Sequence, residues 1–446
     1  MIGPHAFAKL SSGAFLVVLI VISNGLVTFG QSGGQSVGTA LKFDFGPGKV
    51  APGYKQVLAD TVYSKETGYG FEPGANVTCV SRSNSNAVRG DLCTSDKPFY
   101  FSVALPEGNY LVSITFGDPE NDTVTTVKAE LRRLMLERVE TARGKFVTRT
   151  FAVNIRTPVI AAGGGEVKLK DREKTTEAWA WDEKLTLEFN NSHPAVDAIE
   201  IVRADKLPTI YLLGDSTVCD QPSEPYNSWG QMLTRFFKPD VVIANNAESG
   251  ESLRSSLSAR RLDKVASTMK AGDFLLIQYG HNDEKEKGEG IGAFTSYKAD
   301  LKNFVAVAKA HGVTPVLITP VQRRTFDQQG KITNSHGDYP EAVRQVAREE
   351  NVALIDLHAM STKFYEALGP EQSKLAFKEG DGTHHNNYGS YELAKCIVEG
   401  IRAAKLSLVQ ELVSDAPAFD PSHPDPVASF SLPPSPVSTN TKPLGN

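Results

Sequence analysis

The sequence predicts two folded domains, an antiparallel β-sandwich over residues 38–205 and an α/β domain with a mostly parallel sheet over residues 206–412. Short segments with alternating apolar residues occupy the first region, whereas nearly continuous apolar runs separated by helical patterns occupy the second. Composition agrees, because 446 residues with 40% hydrophobic and 22% charged side chains are typical of a folded protein of two or three domains.

The strands of the N-terminal domain are predicted from alternating apolar positions and from β-branched and aromatic residues. Turn sequences such as Pro106-Glu107-Gly108 separate these segments, and no convincing long helical pattern lies among them. Strands at this spacing indicate an antiparallel sandwich. The predicted strand segments span residues 99–106, 109–117, 145–155 and 184–191.

In the C-terminal domain, nearly continuous apolar runs predict strands that are buried on both faces of a parallel sheet. After the third run, apolar residues recur at helical spacing from Phe294 to Ala308, and Gly312 is placed to end that helix. A last helix is predicted from Tyr388 to about Leu406. The predicted strand runs span residues 209–216, 241–247, 274–280, 314–320 and 352–357.

Both ends of the chain differ from the two domains. Residues 1–30 carry an early lysine, an apolar run and then small residues, the order typical of a secretory signal peptide. An uncleaved membrane anchor is the alternative, although the run is short for a spanning helix. We therefore expect a secreted or periplasmic protein without stable membrane association after cleavage. Residues 413–446 are rich in proline and predict a disordered tail.

The four cysteines are too few and too scattered for a disulfide scaffold or a zinc module. Because export permits disulfide formation, a local bridge between Cys79 and Cys93 is a reasonable hypothesis. Cys219 and Cys396 are either paired or simply buried, and the sequence leaves both alternatives open.

Charge and histidine spacing argue against two classes of function. The net charge is −5 and no long basic run occurs, whereas nucleic-acid binding requires clustered lysine and arginine. None of the nine histidines lies in an H-E-x-x-H or related spacing. We therefore expect no nucleic-acid partner, no metal and no cofactor.

A set of polar residues follows the predicted strands of the C-terminal domain. Ser216 ends the first strand, and Asp381 and His384 lie just before the last helix. Ligands bind beyond the carboxyl ends of strands in open α/β sheets, so these residues are expected at one rim. By itself Ser216 could equally cap a helix. With the others it forms a catalytic set, in which His384 is the base that activates Ser216 and Asp381 orients the imidazole.

Donors for a developing oxyanion are also present. The backbone N–H groups of Ser216 and Gly250 and the side-chain amide of Asn282 are the candidates. Other polar residues near the strand ends are candidates for substrate contact. An arginine there could pair with a uronate carboxylate, with a structural salt bridge as the alternative. These candidate substrate contacts are Asp215, Asp283, His281, Glu251 and Arg323.

Four sequence blocks in this domain resemble the SGNH, or GDSL-like, hydrolase family. They are GDSTV (214–218), NNAESGESLRS (245–255), YGHND (279–283) and DGTHHNNYGSYELAKCIVEGI (381–401). The resemblance covers roughly residues 208–406 and implies a flavodoxin-like fold. It also implies catalytic roles for the residues that match the family's motifs, which are Ser216, Gly250, Asn282, Asp381 and His384.

Within the family, the blocks look most like those of rhamnogalacturonan acetylesterases. One departure concerns the residue after the oxyanion glycine, which is commonly arginine in those enzymes and is Glu251 in this chain. The backbone donor of Gly250 survives this change, but a charge beside the site is reversed. The departure bears on the substrate more than on the mechanism.

The N-terminal domain is similar to galactose-binding or malectin-like sandwich domains, on pattern more than on diagnostic residues. Trp179 and Trp181 alternate in this domain. They could present a flat face to a sugar, although such a pair more often supplies one core residue and one surface residue.

These observations together predict an exported serine esterase that removes acetyl groups from a plant cell-wall polysaccharide, with rhamnogalacturonan as the first candidate. One alternative is an acetylxylan esterase, or another esterase or lipase of the same fold. A second alternative is an inactive carbohydrate-binding protein. The oligomeric state stays open.

Overall fold

The computed structural model describes residues 40–82, 86–439 and 443. The predicted signal peptide over residues 1–30 lies outside the described residues. Within the described ranges, no helix is both long enough and apolar enough to cross a bilayer.

The N-terminal domain packs two five-stranded sheets face to face, with orders β10-β7-β13-β1-β2 and β3-β6-β11-β8-β9, and a small sheet β12-β5-β4 beside them. Pairing is antiparallel except between β1 and β2, which run parallel. The sandwich prediction is confirmed, with this one exception. Its strands are β1 (Leu41–Phe45), β2 (Lys55–Val57), β3 (Tyr69–Phe71), β4 (Thr78–Ser81), β5 (Asp91–Thr94), β6 (Phe99–Ala104), β7 (Gly108–Gly117), β8 (Thr123–Ala129), β9 (Arg133–Thr141), β10 (Phe146–Ile155), β11 (Lys184–His193), β12 (Ala195–Val196) and β13 (Ala198–Arg203).

Alternation along these strands sends apolar side chains between the two large sheets. Phe43 and Phe45 of β1 are buried there and pack edge-on against Phe101 of β6, with ring centroids 5.5 and 4.9 Å apart. Cys79 and Cys93 face each other across β4 and β5 and form a disulfide. The hypothesis of a local bridge therefore agrees with the structure.

The C-terminal domain contains a five-stranded parallel sheet of order β15-β14-β16-β17-β18, the second-first-third-fourth-fifth order of flavodoxin-like folds. Helices cover the sheet, and α6 is interrupted at Gly369, where φ is +73°. The strands are β14 (Thr209–Gly214), β15 (Val242–Asn245), β16 (Phe274–Gln278), β17 (Thr314–Ile318) and β18 (Ala353–Ile355). The helices are α1 (Trp229–Leu233), α2 (Leu253–Ser258), α3 (Arg261–Ala266), α4 (Lys298–Ala310), α5 (Tyr339–Glu350), α6 (Leu357–Gln372) and α7 (Asn387–Ala403).

Both faces of this sheet are buried, as the apolar runs predict. Along β14, Ile210 and Leu212 join the core on one face, while Tyr211 and Leu213 join the core on the other. Helices on both faces explain why these strands are apolar throughout instead of alternating. The order of the strands also creates a crevice at the carboxyl ends of β14 and β16, where the chain reverses its direction of travel across the sheet.

The prediction of a disordered tail over residues 413–446 is wrong for the described part of that segment. The segment over residues 413–439 contacts both domains. Proline lacks an N–H group but keeps its carbonyl, and the carbonyls of Pro433 and Pro434 accept hydrogen bonds from Lys128 and Asn190, each at 2.9 Å. The neighbouring Ser435 is buried and donates to Glu188 at 2.7 Å.

The two domains share an extensive polar contact. Arg133 of β9 is fully buried, and its Nε lies 2.7 Å from Asp220 Oδ2 of the C-terminal domain. The Thr234 hydroxyl donates to the carbonyl of Leu134 at 2.7 Å. Main-chain and charged groups thus join the domains along β9. This contact lies close to the carboxyl end of β14, because Asp220 is four residues beyond Ser216.

The two tryptophans do not share an exposed face. Trp181 is buried against the Arg156 guanidinium, 4.5 Å from its ring centroid. Trp179 is half-buried and packs edge-on against Tyr100 at 5.2 Å. The structure therefore favours the interpretation as one core residue and one partly exposed residue over a sugar-stacking pair.

Candidate active site

Three of the predicted site residues meet at the carboxyl edge of the parallel sheet. Ser216 lies two residues beyond β14, and His384 lies three residues before α7. The Ser216 hydroxyl and His384 Nε2 are 2.9 Å apart, although 168 positions separate them in the chain. His384 Nδ1 lies 3.0 Å from Asp381 Oδ2. This is the hydrogen-bond order of a nucleophile, its base and the group that orients the base.

The Asp381 side chain is held by its own turn. Its Oδ1 accepts hydrogen bonds from the backbone N–H groups of Thr383 at 2.8 Å and His384 at 3.1 Å, which leaves Oδ2 for the imidazole. Burial raises the pKa of this carboxyl, but the bonds from His384 and the backbone outweigh burial and hold the pKa well below its ordinary value. Asp381 is therefore ionised at neutral pH and keeps the Nε2 lone pair of His384 directed at Ser216.

The adjacent His385 points elsewhere. Its Nε2 lies 2.7 Å from the Tyr365 hydroxyl, and its ring packs on Phe377 at a centroid distance of 4.3 Å. Burial lowers the pKa of His385 to about 3, so the ring is neutral. Only His384 of this pair serves the site, as expected for neighbouring residues that point in different directions.

Gly250 lies after β15. We call residues 248–251 the 248–251 loop. Gly250 has φ +77°, a left-handed conformation that favours glycine. Hydrogen bonds tie this loop to the segments that follow β14 and β16. Gln221 Nε2 donates to the carbonyl of Ser216 at 2.8 Å and to the hydroxyl of Ser249 at 3.2 Å. The amide of Asn282 donates to the carbonyl of Glu251 at 2.9 Å.

The structure thus brings the candidate oxyanion donors to one rim. Ser216, Gly250 and Asn282 follow three neighbouring strands, β14, β15 and β16, and hydrogen bonds link their loops. The Asn282 amide has two N–H groups, so its bond to the loop uses only one of them. These groups can supply N–H donors to a negative oxygen that forms beside Ser216.

Asp215 and His281, two of the candidate substrate contacts, are paired with each other inside the protein. Asp215 Oδ1 accepts hydrogen bonds from the backbone and hydroxyl of Thr217 at 2.9 and 2.8 Å. Asp215 Oδ2 lies 3.2 Å from His281 Nδ1. Burial lowers the pKa of His281 to about 4. These hydrogen bonds fix the turn that carries Ser216.

The other three candidates for substrate contact also form internal partnerships. Asp283 is buried and accepts from the N–H of Leu253 at 2.9 Å, the first residue of α2. Arg323 lies 2.6 Å from a carboxylate oxygen of Glu284, so the structural salt bridge named as its alternative is present. Glu251 is 1% exposed and is described next.

Charged residues from the N-terminal domain reach the 248–251 loop, which sequence reasoning did not anticipate. Lys170 Nζ lies 2.8 Å from Glu251 Oε1 and donates to the carbonyl of Ser249 at 2.6 Å. Arg172 Nη2 lies 2.6 Å from Glu248 Oε1. Both cations lie in a segment between β10 and β11 that has no strand pattern. Only the unusual glutamate after Gly250 could have indicated that a cation was required nearby.

A cavity of about 250 Å³ opens between the two domains near the site, and the Tyr226 side chain forms part of its wall. The Tyr226 ring is perpendicular to the His384 ring, with a centroid distance of 5.9 Å. The other walls include Arg172 and Glu177 of the N-terminal domain. Among the described residues, no cluster of three or more histidine, cysteine, aspartate or glutamate side chains could hold a metal ion.

Family comparisons agree with both domains. Residues 212–390 match the GDSL-like lipase/acylhydrolase family, and residues 41–154 match the galactose-binding domain-like module of β-agarase and YXIM esterase-like proteins. The chain is 39% identical to the rhamnogalacturonan acetylesterase RhgT of Bacillus subtilis over 220 residues, which cover 46% of this chain and 94% of that protein.

Two further relatives come from the same organism. The probable rhamnogalacturonan acetylesterase YesY is 35% identical over 46% of this chain and 98% of its own length. The uncharacterized esterase YxiM is 28% identical over 81% of this chain and 90% of its own length, so the similarity extends across both domains. The chain therefore belongs to the GDSL-like lipase/acylhydrolase family and is an esterase with an N-terminal galactose-binding-like domain.

Proposed function

We propose that this protein is an exported serine esterase that removes acetyl groups from a plant cell-wall polysaccharide, with rhamnogalacturonan as the first candidate. The observation that carries the proposal is the pair of hydrogen bonds that joins Ser216 to His384 at 2.9 Å and His384 to Asp381 at 3.0 Å. Export rests on the signal-peptide pattern of residues 1–30.

The first half of the reaction transfers the acetyl group to the enzyme. Ser216 Oγ attacks the acetyl carbonyl carbon while His384 Nε2 takes the hydroxyl proton. The carbonyl oxygen becomes an oxyanion, which accepts hydrogen bonds from the N–H groups of Ser216 and Gly250 and the amide of Asn282. The bond between carbon and sugar oxygen then breaks, and His384 gives its proton to the departing sugar hydroxyl.

The second half returns the enzyme to its starting state. Water attacks the acetyl-Ser216 ester while His384 removes a proton from it, and a second oxyanion forms at the same donors. Collapse of this intermediate releases acetate, and Ser216 recovers its proton from His384. Asp381 stays ionised throughout and stabilises the imidazolium that forms in each half.

Two observations support the choice of substrate. RhgT and YesY, which match the C-terminal domain at 39% and 35% identity, bear the name of rhamnogalacturonan acetylesterases. The presence of Glu251 in place of the family's arginine also argues less strongly against this substrate than the sequence alone suggests. Its carboxylate is buried beside Lys170 Nζ at 2.8 Å and Arg261 Nε at 3.7 Å, so its charge is compensated inside the protein.

Acetate release by the purified mature protein tests this proposal. Acetylated rhamnogalacturonan and acetylated xylan are compared in parallel, with Ser216→Ala as the inactive control. We expect faster release from the pectic substrate and a loss of about 10⁴-fold or more in the variant, because the nucleophile is removed. A circular dichroism spectrum that matches the unsubstituted protein shows that the variant is folded.

The other outcomes separate the alternatives. Release from xylan or small esters alone, dependent on Ser216, would keep the mechanism and change the substrate. Full activity in a folded Ser216→Ala variant would remove Ser216 from the mechanism. Binding to pectin without release from any acetylated substrate would favour an inactive carbohydrate-binding protein.

A further inference from the structure

We infer that Lys170 of the N-terminal domain is a positioning residue for ester hydrolysis, because its ammonium group orients and polarises the Ser249–Gly250 peptide of the oxyanion site. The inference rests on the proposed function, in which Gly250 N–H is an oxyanion donor. It makes the N-terminal domain a part of the catalytic apparatus and not solely an appended module.

Lys170 contacts the peptide group that carries the Gly250 N–H. Lys170 Nζ donates to the carbonyl oxygen of Ser249 at 2.6 Å. That carbonyl and the Gly250 N–H belong to one planar peptide unit, so an oxygen held at one end determines where the N–H points at the other. Gly250 has φ +77°, and as a glycine it can adopt more backbone conformations than other residues. The hydrogen bond from Lys170 to the preceding carbonyl restricts these conformations.

A cation on the carbonyl also strengthens the donor. An ionised donor forms a stronger hydrogen bond than a neutral one. Hydrogen bonds that share a peptide group polarise each other, so withdrawal of electrons at the Ser249 oxygen makes the Gly250 N–H more positive. This gain counts most when the N–H faces a full negative charge, which is the transition state and not the bound ester.

Lys170 is itself held in place by the C-terminal domain. The Lys170 N–H donates to Glu173 Oε2 at 2.8 Å. Glu173 is fully buried and forms a double hydrogen bond with Arg261 at 3.0 and 2.6 Å, and Arg261 opens helix α3. The backbone of Lys170 is therefore attached to the same domain whose loop its side chain contacts, which favours a preorganised ammonium group.

Glu251 completes the arrangement. Its carboxylate lies 2.8 Å from Lys170 Nζ, while the Asn282 amide holds its backbone carbonyl at 2.9 Å. The ammonium group is thus positioned between a carboxylate and the Ser249 carbonyl. Lys170 and Glu251 form an ion pair with no net charge. The carboxylate therefore compensates the positive charge that Lys170 brings to the site.

Substitutions of Lys170 test the inference through the properties of the transition state. For Lys170→Met, we expect kcat on a small acetate ester to fall about tenfold, less than the ~10²–10³ that loss of a whole oxyanion donor costs. KM should stay unchanged, because the interaction strengthens only as the oxyanion forms. Lys170→Gln, which keeps a neutral donor, should be intermediate, and Lys170→Arg should recover most of the rate.

The inhibition constant of a boronic acid distinguishes a role in the transition state from a merely structural role, which would leave this constant unchanged. The adduct of the boronic acid with Ser216 is an anionic tetrahedral boronate with an oxygen at the oxyanion site, so the inhibition constant should rise by the same factor as kcat falls. Titration of active sites corrects kcat for misfolded protein, which leaves the inhibition constant unaffected. An inhibition constant within twofold of the unsubstituted enzyme, at any kcat, would overturn the role assigned to Lys170.

Lys264→Met is the matched control. Lys264 also joins the domains, and its Nζ lies 2.6 Å from Glu107 Oε1 and 2.5 Å from the carbonyl of Val159, but it does not contact the 248–251 loop. It should leave kcat and boronate affinity unchanged per active site. An equal loss in both variants would show that the domain contact in general, and not Lys170, is responsible. Full activity in Ser216→Ala would instead overturn the proposed function.

Discussion

The Ser216–His384–Asp381 hydrogen bonds and the 248–251 loop lie at the same rim of the sheet, but their supports differ. Asp381 and His384 share one short turn, so a local segment orients the base. The loop instead receives Lys170 and Arg172 from another domain. The comparison teaches that the proton-transfer residues are held within the C-terminal domain, whereas the proposed oxyanion loop is held by groups of both domains.

Asp381→Asn removes the carboxylate that orients His384 within the C-terminal domain. This substitution should have the largest effect on activity. The asparagine oxygen can keep the backbone bonds of Asp381, but its amide group would face His384 Nδ1 and favour the tautomer that cannot accept from Ser216. We expect kcat to fall about 10⁴-fold with a melting temperature close to that of the unsubstituted enzyme. Steady-state kinetics and thermal unfolding measure both. A loss smaller than tenfold would contradict the assigned role of Asp381.

Arg261→Met breaks the support between the domains. It leaves Glu173 buried without its partner at 2.6 Å, and we expect the free energy of unfolding to fall by about 3–5 kcal/mol. Denaturant titration measures this change. Arg260→Met is the control, because Arg260 is partly exposed and its ion pair among the described residues is with Asp263, a contact worth at most about 1 kcal/mol. Equal losses in the two variants would show that burial of the Arg261–Glu173 pair does not explain the loss of stability.

As the pH falls, the C-terminal domain should lose the contribution of three histidines, two buried and one partly exposed, to its stability. Burial lowers the pKa of His281 and His358 to about 4 and of His385 to about 3, below the value near 6.5 of an unfolded chain. Their contribution is complete above about pH 6.5 and is lost as the pH falls towards 4, because the unfolded state then binds more protons. Each histidine contributes a slope of about 1.4 kcal/mol per pH unit.

Chemical denaturation at several pH values between 4 and 7 measures this dependence. In His385→Gln, the slope should fall by about 1.4 kcal/mol per pH unit, since one proton-binding group is removed. The slope is compared and not the absolute stability, because the variant also loses the bond to Tyr365. An unchanged slope would show that His385 does not bear the depressed pKa.

Much of the fold could be predicted because local patterns reflect burial. The run at 209–216 becomes β14 (Thr209–Gly214), and the predicted last helix becomes α7 (Asn387–Ala403). The strand β9 (Arg133–Thr141) was not predicted. Charged residues interrupt its apolar pattern, and one of them, Arg133, is buried against Asp220, which lies far along the chain. A local pattern does not contain that information.

The candidate site shows the same division. Ser216, Asp381 and His384 could be predicted from chemistry and spacing, and the structure brings them within hydrogen-bond distance. The five candidate substrate contacts could not be judged from sequence, since a charged residue at a strand end looks the same whether it faces solvent or an internal partner. Burial of Asp215 and Glu251 is a property of the tertiary structure.

By itself, the sequence determined the two domains, the five strands of the parallel sheet, and the residues able to form a serine-dependent site, because period, turns and motif spacing are local properties of a chain. Tertiary structure alone decided where the C-terminal segment packs, that the carboxylate of Glu251 is buried, and that Lys170 reaches the Ser249–Gly250 peptide. These contacts join residues about 80 to 210 positions apart. Such pairings depend on how the domains fold together, and no local pattern records them.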